Sequence, residues 1–144
     1  MAATNHQVAV LGASRNRQRY ANRAVRALQQ HGYDVIPINP AHDAIEGLPV
    51  VPDLAALQRQ VHTLTVYVGP RHIAPLIDDI VAARPRRVIL NPGTESEALE
   101  HALDEHAIPY LEACTLVLLA TGQFETALAP APAPLDAAAA GSGP

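Results

Sequence analysis

The sequence is poor in several residue types. Cys114 is the only cysteine among 144 residues, which excludes an internal disulfide and is typical of a reducing compartment, so we expect a cytoplasmic protein. Tryptophan is absent, and four Tyr and one Phe leave aliphatic side chains to form the core. No apolar run reaches the roughly 18 residues of a membrane span, and residues 1–6 lack the charged start of a signal peptide. We therefore expect neither membrane insertion nor secretion.

Positive charge is also scarce, and it is unevenly placed. Lysine is absent, and five of the ten arginines lie between residues 15 and 26, whereas the first acidic residue is Asp34. The net charge of −4 argues against a general nucleic-acid binder, so we expect no nucleic acid among the partners. The arginine cluster therefore indicates a local site for an anion.

Apolar runs alternate with segments of helical spacing along most of the chain. Strands are predicted over 8–11, 34–38, 63–68, 87–90 and 108–111. Helices are predicted over 21–28 with a stop at Gly32, over 54–57 with Asp53 as cap, from about His72 to Val81, after a capping box at Thr94–Glu97, and over 113–120 with a stop at Gly122. This alternation predicts an α/β domain with an open, mostly parallel sheet of about five or six strands and helices on both faces.

The composition changes near residue 125. Ala-Pro repeats, a run of alanines and a Gly-Ser-Gly-Pro end contain almost no core-forming side chains. We predict a folded domain over 1–124 and a disordered or extended tail over 125–144, which serves as a tether or as an arm that docks a partner.

Ligands of an open parallel sheet bind outside the carboxyl ends of the strands, where the strand order reverses. Four loops should meet at that edge: Gly12–Arg19, Asn39–Asp43, Gly69–His72 and Asn91–Thr94. The first loop is the strongest candidate, because a small-residue turn that leads into a helix directs backbone N–H groups at one spot, and arginine forks bind phosphate there. The loop between the first strand and the first helix is therefore predicted to form a phosphate pocket.

A dinucleotide site is the main alternative for this loop. The usual G-x-G-x-x-G pattern is reduced here to a single glycine, Gly12, and Ile38-Asn39-Pro40 stands where an acid would bind the ribose. Neither the glycine pattern nor the acidic residue of a dinucleotide site is therefore present. A variant NADP site that uses arginines stays open as an alternative.

Several ordered motifs carry a family resemblance. Residues 8–16, 31–40, 45–47, 91–95 and 112–116 resemble the stand-alone CoA-binding domain proteins, which are related to the CoA-binding domain of the succinyl-CoA synthetase alpha subunit. The resemblance covers roughly residues 6–124. It implies a single Rossmann-like domain that binds coenzyme A.

The resemblance also implies which residues contact the cofactor. It places Gly12, Ala13, Ser14 and Arg15 around the pyrophosphate with Asn16 and Arg19 as further candidates, Asn39 and Pro40 near the adenosine end, and Val68, Gly69 and Pro70 along the next wall. His42 stands where the synthetase subunit has a lysine, so binding of the 3′-phosphate there should weaken above a pH of about 6.5 or pass to an arginine.

The sequence contains no recognisable catalytic set, since the seven histidines are scattered and no cysteine accompanies them at metal-ligand spacing. We therefore predict a non-catalytic carrier, sensor or subunit that binds CoA or an acyl-CoA, as a homodimer or with an enzyme partner. The alternative is an NADP-type or other nucleotide-binding oxidoreductase, or an acyl-transfer component, whose active site comes from a partner. A third hypothesis is an interaction module that docks through the apolar segment Leu116–Leu119.

Cys114 allows two interpretations. A thiol beside a helix start can have a lowered pKa and form a mixed disulfide with CoA. Free cysteine is also among the residue types most often buried, and we favour burial. The neighbouring Glu112 is a possible general base, but a carboxylate without a visible partner more commonly caps a helix or faces solvent.

Overall fold

A computed structural model describes residues 6–127, so residues 1–5 and the part of the predicted tail from 128 to 144 lie outside the described residues. In chain order the elements are β1 (Gln7–Leu11), α1 (Tyr20–Gln30), β2 (Asp34–Ile38), β3 (Ala44–Ile45), β4 (Leu48–Pro49), β5 (Thr63–Val66), α2 (Pro70–Ile73), α3 (Ile77–Ala83), β6 (Val88–Leu90), α4 (Glu97–Glu105), β7 (Tyr110–Glu112) and α5 (Thr115–Ala120).

Five of the strands form one parallel sheet in the order β2-β1-β5-β6-β7. The chain runs from β1 to β2 on one side and then returns to the other side of β1 at β5, so the strand order reverses between β1 and β5. The strands are short apolar runs, as expected where both faces of a sheet are covered. The predicted α/β class and the single Rossmann-like domain are confirmed.

Alternating strand residues contribute to two separate cores, one on each face of the sheet. Val8 and Val10 pack with residues of α1 and α5, whereas Ala9 and Leu11 pack with residues of α3 and α4. The helix residues are Val25, Leu28, Leu118 and Leu119 on the first face, and Ile80, Leu99 and Leu103 on the second. Burial of each such side chain contributes about 1.5–3 kcal/mol to the stability of the fold. The predicted helices on both faces of the sheet are confirmed.

The end of α1 follows the prediction, but the start of α4 does not. Gly32 adopts a φ of +86°, and Tyr33 N donates to Leu28 O at 3.1 Å, which closes α1. The cap of α4 lies two residues later than predicted. Ser96 Oγ accepts from Leu99 N at 3.2 Å, so Ser96 caps the helix in place of Thr94. Thr94 is instead held in the turn after β6, where its Oγ1 donates to Asn91 O at 2.7 Å.

The predicted helix from His72 is also wrong in detail. The helical segment starts at Pro70, which takes the first position of α2. Pro75 lies in a 3₁₀ turn (Ala74–Leu76) between α2 and α3, because its missing N–H and its ring interrupt a continuous α-helix. The predicted strand 63–68 ends at Val66.

A small hairpin that the sequence did not predict follows β2. The antiparallel strands β3 and β4 are joined by Glu46 and Gly47, whose φ angles are 51° and 78°. Two consecutive positive φ angles are typical of a type I′ turn, which suits the twist of a two-residue hairpin. The hairpin places Glu46 beside the loop that follows β1.

The last described residues cover the amino edge of the sheet. Arg87, which directly precedes β6, is fully buried, and its guanidinium lies 4.6 Å from the centroid of the Phe124 ring. Its Nε donates to Thr63 Oγ1 at 2.8 Å and its Nη1 to Ala127 O. Tyr33 OH donates to the carboxylate of Glu125. Residues 124–127, the C-terminal segment, therefore pack at the edge opposite the carboxyl ends of the strands.

No helix among residues 6–127 combines the length and the apolar character that crossing a lipid bilayer requires.

Candidate functional site

A cleft of about 360 Å³ opens at the carboxyl edge of the sheet, where the strand order reverses. The loops after β1, β5 and β6 and the start of α1 surround it, so three of the four loops predicted to share this edge line one cavity. Its lining residues are Gly12, Gln18, Arg19, Tyr20, Ala21, Tyr67, Gly69, Pro92, Gly93 and Thr94. We refer to this cavity as the switch-point cleft.

Gly12 allows the loop after β1 to approach the end of β5. Its φ is +87°, and a Cβ at this position would lie 2.9 Å from Tyr67 O and 3.0 Å from Val68 Cγ2. Both the backbone conformation and the close contact exclude a side chain. Val68 thus backs onto Gly12 and packs against the core rather than lining the cleft.

The backbone of the first loop differs from the expected phosphate turn. The N–H groups of Gly12 and Ala13 both donate to Ile38 O at 3.2 Å, so they hold the loop to β2 and are not available to an anion. The helix α1 begins only at Tyr20, with Arg19 as an N-cap that forms no side-chain cap hydrogen bond. The first turn of α1 lines the cleft, and no side chain caps its N–H groups.

Two arginines of the cluster face the β3–β4 hairpin instead of the cleft. Arg15 Nε donates to Ala44 O at 3.1 Å, and its Nη2 lies 3.8 Å from Asp43. Arg17 Nε lies 3.4 Å from Glu46. The positive charge of this connection is therefore partly neutralised by two carboxylates that come from a later part of the chain.

Arg19 is the cation that the structure leaves at the cleft. Within residues 6–127 its guanidinium forms no hydrogen bond and no ion pair, and its side chain is exposed beside Gly12 and Tyr20. The next arginine, Arg23, lies over the Tyr20 ring at 5.3 Å, and Arg26 donates to Asn22 Oδ1 at 2.8 Å. Arg19 alone among these three combines a free guanidinium with a place in the cleft wall.

The polar predicted residues of the first two loops hold those loops together. Ser14 Oγ accepts from Asn16 N, and Asn16 Oδ1 accepts from Gln18 N, each at 3.0 Å. Asn39 Nδ2 donates to Ala13 O at 2.7 Å, which links the loop after β2 to the loop after β1. These side chains shape the loop beside the cleft without lining the cleft itself.

The remaining predicted residues divide between the cleft and its surroundings. Gly69 lines the cleft, whereas Pro70, as the first residue of α2, is exposed outside it. Pro40 is exposed on the loop after β2 and also lies outside the cleft.

A second cavity of about 420 Å³ adjoins the switch-point cleft. It is lined by Tyr20, Tyr67, Asn91, Pro92, Cys114, Leu116 and Val117. We call it the apolar cavity. Tyr20, Tyr67 and Pro92 also line the cleft, so the two spaces share a wall.

A buried polar network forms the base of the apolar cavity. Asn91 Nδ2 donates to Thr65 Oγ1 at 2.6 Å and to Val66 O at 2.9 Å, and Asn91 Oδ1 accepts from Thr115 N at 2.9 Å. The hydroxyls of Thr65 and Thr115 form a hydrogen bond, with 2.8 Å between the two oxygens. The Tyr67 hydroxyl is buried beside them, and this burial raises the pKa of Tyr67. Tyr67 is not among the predicted site residues, although its place two residues before Gly69-Pro70 at a strand end was a visible signal.

Cys114 and Glu112 have different surroundings. Cys114 is partly buried in the wall of the apolar cavity, so the prediction of a simple core cysteine does not describe it. The neighbouring Glu112 carboxyl, together with burial and other nearby negative charges, raises the pKa of Glu100 to about 7. In residues 6–127 no three side chains of metal-binding type come together.

A doubly wound parallel sheet with a glycine-tight turn and a cleft at the strand reversal defines the class of Rossmann-like cofactor-binding domains. The family model described as a CoA binding domain matches residues 6–120. The chain therefore belongs to the family of CoA-binding domains.

Solved structures agree with this assignment. A protein described only as uncharacterized is 34% identical, with a TM-score of 0.78, over 83% of this chain and 98% of its own. A Thermus thermophilus protein is 31% identical, with a TM-score of 0.76, over 85% of this chain and 92% of its own. No curated protein matches the chain.

A dinucleotide-forming acetyl-coenzyme A synthetase from Ca. Korarchaeum cryptofilum shares the fold at 23% identity and a TM-score of 0.67. The match covers 77% of this chain and 26% of the synthetase.

Proposed function

We propose that this protein binds CoA or an acyl-CoA in the switch-point cleft, with the diphosphate held by Arg19 and the first turn of α1. The observation that carries the proposal is the Arg19 guanidinium, which has no partner within residues 6–127 and lies beside uncapped helix N–H groups in the cleft wall. Charge-assisted hydrogen bonds from an arginine fork and a helix start suit a diphosphate. Membership in the CoA-binding domain family supports the choice of this anion.

The predicted residues outside the cleft would bind the 3′-phosphate and the adenosine of CoA. Arg15 and Asp43 are 3.8 Å apart and both exposed, and such surface pairs contribute only about 0–1 kcal/mol. A 3′-phosphate can therefore replace Asp43 as the partner of Arg15 at little cost. Asn39 and Pro40, with Ser14 and Asn16, would border the adenosine end.

We further propose that the chain has no catalytic activity of its own and acts as a carrier, a sensor or a subunit. Among residues 6–127, those that line the cleft include neither histidine nor cysteine, and no nucleophile there has a neighbouring base. In the Korarchaeum synthetase the shared fold takes up about a quarter of a larger chain, which supports a partner enzyme as one setting for this protein.

Calorimetric titration tests the binding proposal. CoA, desulfo-CoA, 3′-dephospho-CoA and NADP are titrated into the protein, and CoA should bind most tightly, with a loss for the dephospho form. Absence of binding to all three CoA compounds would reject the proposal, and a preference for NADP would favour the oxidoreductase alternative.

A pair of arginine variants locates the site. Arg19→Ala should weaken CoA binding by about 1.5–3 kcal/mol, the range for hydrogen bonds to charged groups. Arg59→Ala removes another exposed arginine, from a surface outside the cleft, and serves as the control. Equal affinities of the two variants would exclude Arg19 from the site.

A further inference from the structure

We infer that the apolar cavity receives the acyl group of an acyl-CoA thioester, so that the protein prefers acylated CoA to the free thiol. This inference depends on the proposed binding of CoA in the switch-point cleft. It adds a ligand class and a second subsite to that proposal.

The cleft and the apolar cavity adjoin each other. Tyr20, Tyr67 and Pro92 line both spaces, so a ligand bound in the cleft lies directly beside the apolar cavity. The cleft has the cation and the helix start at its wall, whereas the described residues of the cavity wall include none that is charged. A ligand with a phosphate-bearing end and an apolar end matches these two neighbouring environments.

Beside the apolar cavity, only the buried Tyr67 hydroxyl lacks a hydrogen-bond partner among the described residues, whereas the neighbouring polar side chains bond within the protein. The amide of Asn91 uses both its donor and its acceptor functions within the protein, and the hydroxyls of Thr65 and Thr115 bond to each other. A ligand group that requires no hydrogen bond, such as an alkyl chain, loses nothing by entering.

The helix α5 and the start of α1 expose apolar side chains at this cavity. Val117 is 55% exposed and Tyr20 is 64% exposed, and they are the large apolar side chains with the highest exposure in the described part of the chain. Both line the same cavity. Its volume of about 420 Å³ lies within the range of small-molecule sites, and its concave shape favours a chain over a flat protein surface.

Chain length provides the direct test. Each buried methylene contributes about 0.8 kcal/mol, which corresponds to roughly fourfold in affinity. With partial burial we expect octanoyl-CoA to bind at least about tenfold more tightly than CoA, with acetyl-CoA and butyryl-CoA between them. Equal or falling affinity along the series would overturn the acyl subsite while CoA binding itself stands. Failure of every member to bind would reject both proposals.

Charge-matched variants locate the subsite. Val117→Glu places a carboxylate in the cavity wall and should remove the advantage of octanoyl-CoA while leaving the affinity for CoA within about twofold. Gln123→Glu adds the same charge at an exposed position that does not line the cavity, and it should keep the advantage. If both variants keep it, the acyl group binds elsewhere and the inference is wrong.

Cys114 provides a second readout, because it is the only thiol in the protein and lies in the cavity wall. Alkylation by iodoacetamide, followed by mass spectrometry of the intact protein, should be slower with saturating octanoyl-CoA than with saturating acetyl-CoA, and neither compound carries a free thiol. Equal protection would contradict the inference. The competing occupant of the cavity is a second copy of the chain, and sedimentation across the same concentrations tests for it. A dimer that Val117→Glu dissociates, together with no effect of acyl chain length on affinity, would assign the cavity to that second copy.

Discussion

Substitution of glycines around the switch-point cleft separates backbone strain from steric contact. Gly12→Ala combines two penalties: a left-handed backbone at φ +87° and a Cβ that would lie 2.9 Å from Tyr67 O. The conformational penalty is about 1–2 kcal/mol, and forcing an extra carbon against a packed backbone costs about 1–3 kcal/mol more. We therefore expect Gly12→Ala to lower the free energy of unfolding by about 2–5 kcal/mol.

Two other glycines provide matched controls. Gly93 has a φ of +89°, but nothing described lies within 4 Å of the position that a Cβ would take, so Gly93→Ala should lose only the conformational penalty of about 1–2 kcal/mol. Gly69 has an ordinary φ of −71° and open space around it, so Gly69→Ala should be neutral or slightly stabilising. All three substitutions add one methyl group near the same cleft.

Urea unfolding followed by circular dichroism measures the three variants on one scale. The expected order of destabilisation is Gly12→Ala, then Gly93→Ala, then Gly69→Ala. Equal losses for Gly12→Ala and Gly93→Ala would show that the contact with the end of β5 costs nothing. The reasoning about the close approach of the two loops would then be refuted.

Three further predictions concern the supports of the site. Ser96→Ala should destabilise the protein by about 1 kcal/mol in urea unfolding, because it removes the observed cap of α4. Asn91→Leu should cost about 2–4 kcal/mol in the same assay, since it leaves buried backbone groups without partners. Glu100 binds its proton more tightly in the folded chain, with a pKa of about 7 against an ordinary 4.5, so its contribution to the melting temperature should be lost as the pH rises from 6.5 to 8, where His62, whose pKa burial lowers to about 4, stays neutral. Glu100→Gln should flatten that profile, and an unchanged profile would exclude this carboxyl as the cause.

Much of the fold follows from local sequence patterns. The apolar runs that begin near Val8, Asp34 and Thr63 all became parallel strands, because buried strands need continuous apolar residues and little else. Gly32 and Gly122 end helices as predicted, since each adopts the positive φ that glycine allows. One error lies at the start of α4, where Thr94 and Ser96 have similar capping ability and the Pro92-Gly93 turn separates Thr94 from the helix.

The candidate site depends more on long-range contacts, which explains why sequence reasoning located its loops but not its detailed chemistry. The arginine cluster is visible in the sequence, but its neutralisation by Asp43 and Glu46 requires the hairpin that brings them back. The hairpin strands are two residues long and carry no periodic signal. Arg19 therefore cannot be distinguished from Arg15 by sequence alone.

The packing of Phe124 on Arg87 extends the packed part of the domain beyond residue 120. The family match stops at residue 120, yet the aromatic partner of a fully buried guanidinium comes after that point. Truncation at residue 120 would remove the Phe124 ring and the Ala127 carbonyl from Arg87, so the folded chain would lose these contacts and the burial of Phe124. Deletion series and domain grafts of this protein should therefore keep the chain through Ala127.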